Sequence, residues 1–251
     1  MVQDKVAVVV GAAGPIGSAC AQRFARRGLR LLLIDQDLSQ LADCLAQPIA
    51  AGRVELGVCD LTDVPAVVQA IDAAAARFGR IDVLANCALE VGPDGCWEVD
   101  EAAWQRCLRV NMKLPFFALQ ACVPHMRRVG GGRVVNLSST LSEYTDGQQG
   151  LIFGLAKAGL NSMTRQWAVD LCLDNIQANS LWVGHDRPEN LPDPAQVAEW
   201  AVWLALDATS SLNGAQIPVD GGAALLRQGR LLASASRAGA PDQPTRPAQG
   251  E

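Results

Sequence analysis

Apolar residues recur along this chain in two rhythms. Short stretches, Val6–Val10, Leu29–Ile34, Val54–Cys59, Ile81–Ala85, Arg133–Leu137, Ile176–Leu181 and Ala215–Val219, are strand-sized, and Val6–Val10 is an unbroken apolar run rich in β-branched side chains. Strands buried on both faces of a parallel sheet read this way. Between them the apolar positions repeat at helical spacing over Ser18–Arg27, Val64–Phe78, Glu101–Arg127, Leu151–Leu173 and Pro194–Leu206. Gly28 follows the first of these in the position that ends a helix. Strand, crossover and strand repeated to the end of the sheet predict an α/β fold, a doubly wound parallel sheet with helices on both faces. Residues 1–232 read as a single domain. From about Ala233 the composition turns to Ala, Ser, Gly, Pro and Gln, so 233–251 reads as a Pro/Ala/Gly-rich tail without a core of its own.

Composition narrows the function classes. A chain of 251 residues that is 49% hydrophobic buries enough surface to hold a core without disulfides or metal. The net charge of −5 argues against a nucleic-acid or anionic-membrane surface, which needs clustered Lys and Arg. No apolar run approaches the ~20 residues that span a bilayer, and a strand starts almost at once with no basic, cleavable leader before it. A cytoplasmic protein is expected. The 8 cysteines follow no metal spacing and read as thiols, and with 2 histidines no metal site is expected.

Chemistry gathers at the strand ends. Gly11, Gly14 and Gly17 lie between the first strand and the first helix, where a glycine turn lets helix N–H groups face a pyrophosphate. Asp35 closes the second strand, placed to accept from an adenosine ribose and to repel a 2′-phosphate. Asp60 follows the third strand, Asn86 the fourth, and Ser138 and Ser139 the fifth; Asn111 lies within a long helix and Lys157 within another.

With these motifs the chain resembles the short-chain dehydrogenase/reductase (SDR) family from Val2 to Gly222, which implies a single Rossmann-like domain binding NAD. The resemblance assigns cofactor contacts to Gly11, Gly17, Asp35, Asp60, Asn86 and Lys157. It assigns a proton relay to Asn111, polarisation of the substrate oxygen to Ser139, and the Tyr-x-x-x-Lys pair to Phe153 and Lys157. It also implies that the helices about 101–127 and 151–173, with the C-terminal region, pair with another subunit.

The departures from the family pattern carry their own expectations. Phe153 has no hydroxyl with which to move the substrate's proton, a role typically worth ~10²–10⁴ in rate. Tyr144 and His185 are the candidate replacements. Pro15 stands for a glycine, removing an N–H beside the pyrophosphate; Cys87 removes an amide; Leu89, again for a glycine, has a side chain that could fill the cofactor cleft. After Gly184 only about ten residues precede the next helix, too few for a lid, so an open site is expected.

Together these departures lead to the expectation of a catalytically silent subunit, with a degenerate NAD site, that supports an active NAD-dependent SDR partner. Such a subunit is similar to the inactive subunits of heteromeric bacterial members, for example in the hydroxyacyl-CoA dehydrogenase of benzylsuccinate breakdown. The alternatives are an active oxidoreductase with a relocated proton donor, using Ser139, Lys157, Asn111 and His185 on an alcohol, ketone or imine, and an NAD-binding sensor or scaffold.

Overall fold

A computed structural model of the protein describes residues 4–93, 97–144, 150–184 and 192–225. Strands β1 (Val6–Val10), β2 (Arg30–Asp35), β3 (Val54–Val58), β4 (Val83–Asn86), β5 (Gly132–Ser139), β6 (Ile176–Val183) and β7 (Gln216–Val219) form one sheet in the order β3-β2-β1-β4-β5-β6-β7. Every pairing is parallel. The strands expected from the apolar runs are all present, and the α/β doubly wound reading holds.

Each face of the sheet carries its own core. On one, Val6, Val8 and Val10 of β1 pack with α4 (Val64–Phe78), α6 (Leu114–Arg128) and α7 (Leu151–Asp170). On the other, Ala7 and Val9 pack with α1 (Pro15–Arg26) and α8 (Pro194–Leu206). Alternate β1 residues thus serve opposite cores, which explains why the run has no polar member. Asp63, Asp100 and Asp193 cap α4, α5 (Glu101–Leu108) and α8 by accepting backbone N–H groups. At the far end of the sheet Asp82 accepts from the Val6 N–H at 2.8 Å and pairs with both arms of Arg80 at 2.6 and 2.8 Å.

The structure corrects the helix expected over Glu101–Arg127. It is α5, then a wider π-helical turn at Arg109–Lys113, then α6. Pro115 has no N–H to bond the Asn111 carbonyl, as a continuous α-helix would require, so the turn widens at that point. The stretch after β2 holds two short helices, α2 (Ser39–Cys44) and α3 (Ala46–Ala50), that the apolar rhythm did not predict. Among the described residues no helix is long and apolar enough to cross a membrane. The tail, 233–251, lies outside the described residues.

Candidate active site

The chain reverses its direction of winding between β1 and β4, and a cleft opens at the carboxyl ends of the strands there, as it must in a doubly wound sheet. It encloses about 940 Å³, near the top of the usual range for small-molecule sites. One wall is the glycine turn. Gly11 has φ +82° and lies so close to the β4 loop that a Cβ there would sit 2.3 Å from the Ala88 nitrogen; a Cβ on Gly17 would sit 2.0 Å from the Gly11 carbonyl oxygen. Only glycine permits this approach, which brings the start of α1 against the cleft.

Asp35 accepts from the Ala13 N–H and the Gln36 N–H, each at 2.8 Å. The carboxylate therefore ties the glycine turn to the end of β2 while lining the cleft. Asp60 accepts from the Thr62 N–H at 2.8 Å and from Gln36 Nε2 at 3.3 Å. The Thr62 hydrogen bonds hold its carboxyl below the ordinary range, and Arg109 adds to the effect. Asn86 donates to Asn136 at 2.8 Å, and Asn136 donates to Thr164 Oγ1 at 2.8 Å. Among the described residues this buried chain leaves the Asn86 Oδ1 atom without a hydrogen-bond partner, one residue before Cys87, which lines the cleft.

The four family tetrad positions are all buried, Asn111 at 0%, Ser139 and Phe153 at 1%, and Lys157 at 2% exposure, and none of them is among the residues that line the cleft. Lys157 Nζ donates to the Leu137 carbonyl at 2.9 Å and lies 5.5 Å from the centre of the Phe153 ring. Burial pushes the Lys157 ammonium down to about 8, against the opposing pull of the neighbouring Cys107 and Cys87 thiols. Ser139 Oγ accepts from the Leu141 N–H at 3.1 Å, leaving its own hydrogen available to donate. Asn111 sits in the π-helical turn and is occupied structurally: its Nδ2 donates to the Glu90 carbonyl at 2.7 Å and to the Cys107 carbonyl at 2.9 Å, and its Oδ1 accepts from the Glu90 N–H at 3.5 Å.

The substitutions expected to ruin the cleft leave it open. Pro15 is the first residue of α1, where a missing N–H breaks no helical bond. The Cys87 thiol, hydrogen-bonded to Cys20 and buried, is held well above its ordinary pKa. Leu89 lines the cavity without filling it and remains 51% exposed. A cleft of this size, a glycine cradle, a ribose-end carboxylate and an unpartnered buried amide oxygen fit a nicotinamide dinucleotide. His185 and the loop expected to leave the site open lie outside the described residues. Tyr144 is half-buried, its N–H bonded to the Thr140 carbonyl at 3.0 Å. Sequence reasoning missed Leu61, Glu90, Arg106 and Val110, which also line the cleft. Of these, only Leu61 and Val110 had a signal, their adjacency to Asp60 and Asn111.

Comparison with known proteins places the fold and the cleft in a family. The model of the short chain dehydrogenase family matches residues 5–188. The chain belongs to the short-chain dehydrogenase family. Within that family it is 34% identical to the cis-4-hydroxycyclohexanecarboxylate dehydrogenase of Sinomonas cyclohexanicum, over 87% of this chain and 96% of that one. It is 31% identical to the D-threitol dehydrogenase of Mycolicibacterium smegmatis, over 87% and 92% of the two chains. The crystal structure of an NAD+-bound xylitol dehydrogenase superposes with a TM-score of 0.80 at 25% identity, covering 88% of this chain and 99% of that one. These relatives overturn the expectation of a catalytically silent subunit: they are named dehydrogenases, similar to this chain over most of its length. The departures at Pro15, Cys87, Leu89 and Phe153, read together as a dismantled site, are outweighed by this likeness to dehydrogenases over most of the chain.

Proposed function

We propose that this chain is an active NAD(H)-dependent oxidoreductase that interconverts a secondary alcohol and its ketone, with the proton-transfer role moved from position 153 to Lys157. The observation that carries this reading is the presence, in one chain, of an open dinucleotide cleft and a buried, desolvated lysine at the family's tetrad position. Alcohol-oxidising relatives, including the cis-4-hydroxycyclohexanecarboxylate and D-threitol dehydrogenases, support the substrate class. When bound, NAD+ supplies the hydride acceptor.

The chain's own residues divide the remaining work. Gly11, Gly17, Asp35, Asp60 and Asn86 would hold the dinucleotide. Ser139 Oγ, already accepting a backbone N–H, donates its hydrogen to the substrate oxygen and orients it. Lys157 Nζ, neutral above about pH 8, takes the alcohol proton during oxidation and returns it during reduction. Asn111 positions the loop after β4 through the Glu90 backbone. The ring of Phe153 packs beside the lysine and keeps water from it. Phe116, Leu151 and Leu155 give α6 and α7 exposed apolar side chains, and in this reading those faces seat another subunit of the family.

The test is a steady-state assay of the purified chain with NAD+ and a set of cyclic and acyclic secondary alcohols. NADH formation that Lys157→Met abolishes, with NAD binding retained, supports the reading. An inactive chain contradicts it.

A further inference from the structure

Asn161 of α7 is buried, at 3% exposure, and has no part in the dinucleotide cleft or in the proton transfer. A buried amide costs free energy unless it is hydrogen-bonded, so its presence marks a specific contact. Its Nδ2 donates to Ser142 Oγ at 2.8 Å, and Ser142 Oγ donates to the Ser139 carbonyl at 2.6 Å. A serine hydroxyl can accept and donate at once, so the two bonds form one continuous chain. Gln216 Nε2 donates to the Asn161 carbonyl at 3.4 Å, which ties this turn of α7 to β7 as well.

The helix thus grips the end of β5 twice. Lys157 Nζ donates to the Leu137 carbonyl, and Asn161, four residues on, reaches the Ser139 carbonyl through Ser142. Four residues climb about 6 Å along a helix and two span about 6.6 Å along a strand, so the two grips keep step. The approach depends on Gly154. A Cβ there would sit 2.7 Å from the Leu141 carbonyl oxygen, so glycine lets α7 lie against the 3-10 turn Thr140–Ser142. In that turn the Leu141 N–H donates to Ser139 Oγ at 3.1 Å and so selects where the hydroxyl points. A turn released from Ser142 and Asn161 can rotate, and the Leu141 N–H rotates with it. The Ser139 hydroxyl then loses its direction.

We propose that Asn161 and Ser142 are positioning residues for Ser139, a two-link strut from α7 that fixes the direction of its hydroxyl; this rests on reading Ser139 as the group that orients the substrate oxygen. The test is a steady-state assay with NAD+ and the same cyclic and acyclic secondary alcohols, run beside calorimetric titration of NAD. Asn161→Leu and Ser142→Ala are each expected to lower kcat by about tenfold, as for one lost hydrogen bond, with NAD affinity unchanged. Ser142→Thr, which keeps the hydroxyl, should recover most of that loss. In a Ser139→Ala background, itself expected to lower kcat by ~10²–10³, adding Asn161→Leu should cost less than about twofold, because no hydroxyl is left to aim. Ser142 is half-buried, so Ser142→Ala should fold, and circular dichroism checks each variant. Unchanged kcat in Ser142→Ala overturns the proposal. An undiminished further loss in the Ser139→Ala background also overturns it, since that would mark a packing defect. If the wild-type chain forms no NADH, the reading of Ser139 fails and the strut falls with it; wild-type turnover that is indifferent to Ser142 and Asn161 fails the strut alone.

Discussion

The two halves of the site are built from different materials. The dinucleotide half is made largely of backbone: a glycine turn, the start of α1, and carboxylates whose oxygens take main-chain N–H groups. The chemical half is made of buried side chains, Ser139, Phe153, Lys157 and Asn111, each in contact with specific neighbours. Side-chain changes at Pro15, Cys87 and Leu89 therefore leave the first half standing, because its shape depends on where glycine allows the chain to approach. In the proposed reading a single change at position 153 shifts labour to Lys157 in the second half, because proton transfer depends on individual atoms. Binding tolerates drift; chemistry relocates or stops.

The sharpest way to break this contrast lies at Lys157. Replacing it with Met is expected to lower kcat by ~10²–10⁴, the usual worth of a general acid or base, in the steady-state assay. A loss of less than tenfold would place the proton on another group. Next in size is the glycine turn. A Cβ on Gly17 would sit 2.0 Å from the Gly11 oxygen, so Gly17→Ala should destabilise the fold by about 1–3 kcal/mol and lower Tm in a calorimetric scan. An unchanged Tm would mean that the turn is pliable and that backbone is not what sets this half.

The third test is the pH dependence of alcohol oxidation. Burial lowers the Lys157 pKa, so the neutral amine that serves as base accumulates as pH rises through about 8. The rate of oxidation should fall about tenfold for each pH unit below that value, and ketone reduction, which needs the ammonium form, should fall above it. The same flat response in both directions would remove Lys157 from the step. A smaller effect is expected from Asp35→Ala, which loses the ties to Ala13 and Gln36. NAD affinity should weaken by about tenfold, with discrimination against NADP reduced, both measured by titration.

Much of this architecture is legible in the sequence because parallel strands buried on both faces favour continuous apolar runs, and Val6–Val10 or Leu31–Ile34 can hardly read otherwise. The segment containing α2 and α3 is not legible, since helices of 6 and 5 residues are too short to show a period. Nor is the π-helical turn at Asn111, where the apolar rhythm continues unbroken and only Pro115 hints at it. The glycine turn and the tetrad positions could be found by spacing alone. The contacts that decide their use could not: Lys157 with the Leu137 carbonyl and Asn161 with Ser142 join residues on separate elements that only the fold brings together. The absence of a hydroxyl at Phe153 was visible at once, but its consequence depended on whether a desolvated base lay nearby, and burial cannot be read from one position.

The most direct measurement is NADH formation by the purified chain, without any other subunit, from NAD+ and secondary alcohols, run beside the Lys157→Met variant under the same conditions. Turnover by the wild-type chain, lost in the variant while both still bind NAD, is the predicted result. NAD binding by the wild-type chain with no NADH formed from any of the alcohols, or equal turnover by the two proteins, would contradict it.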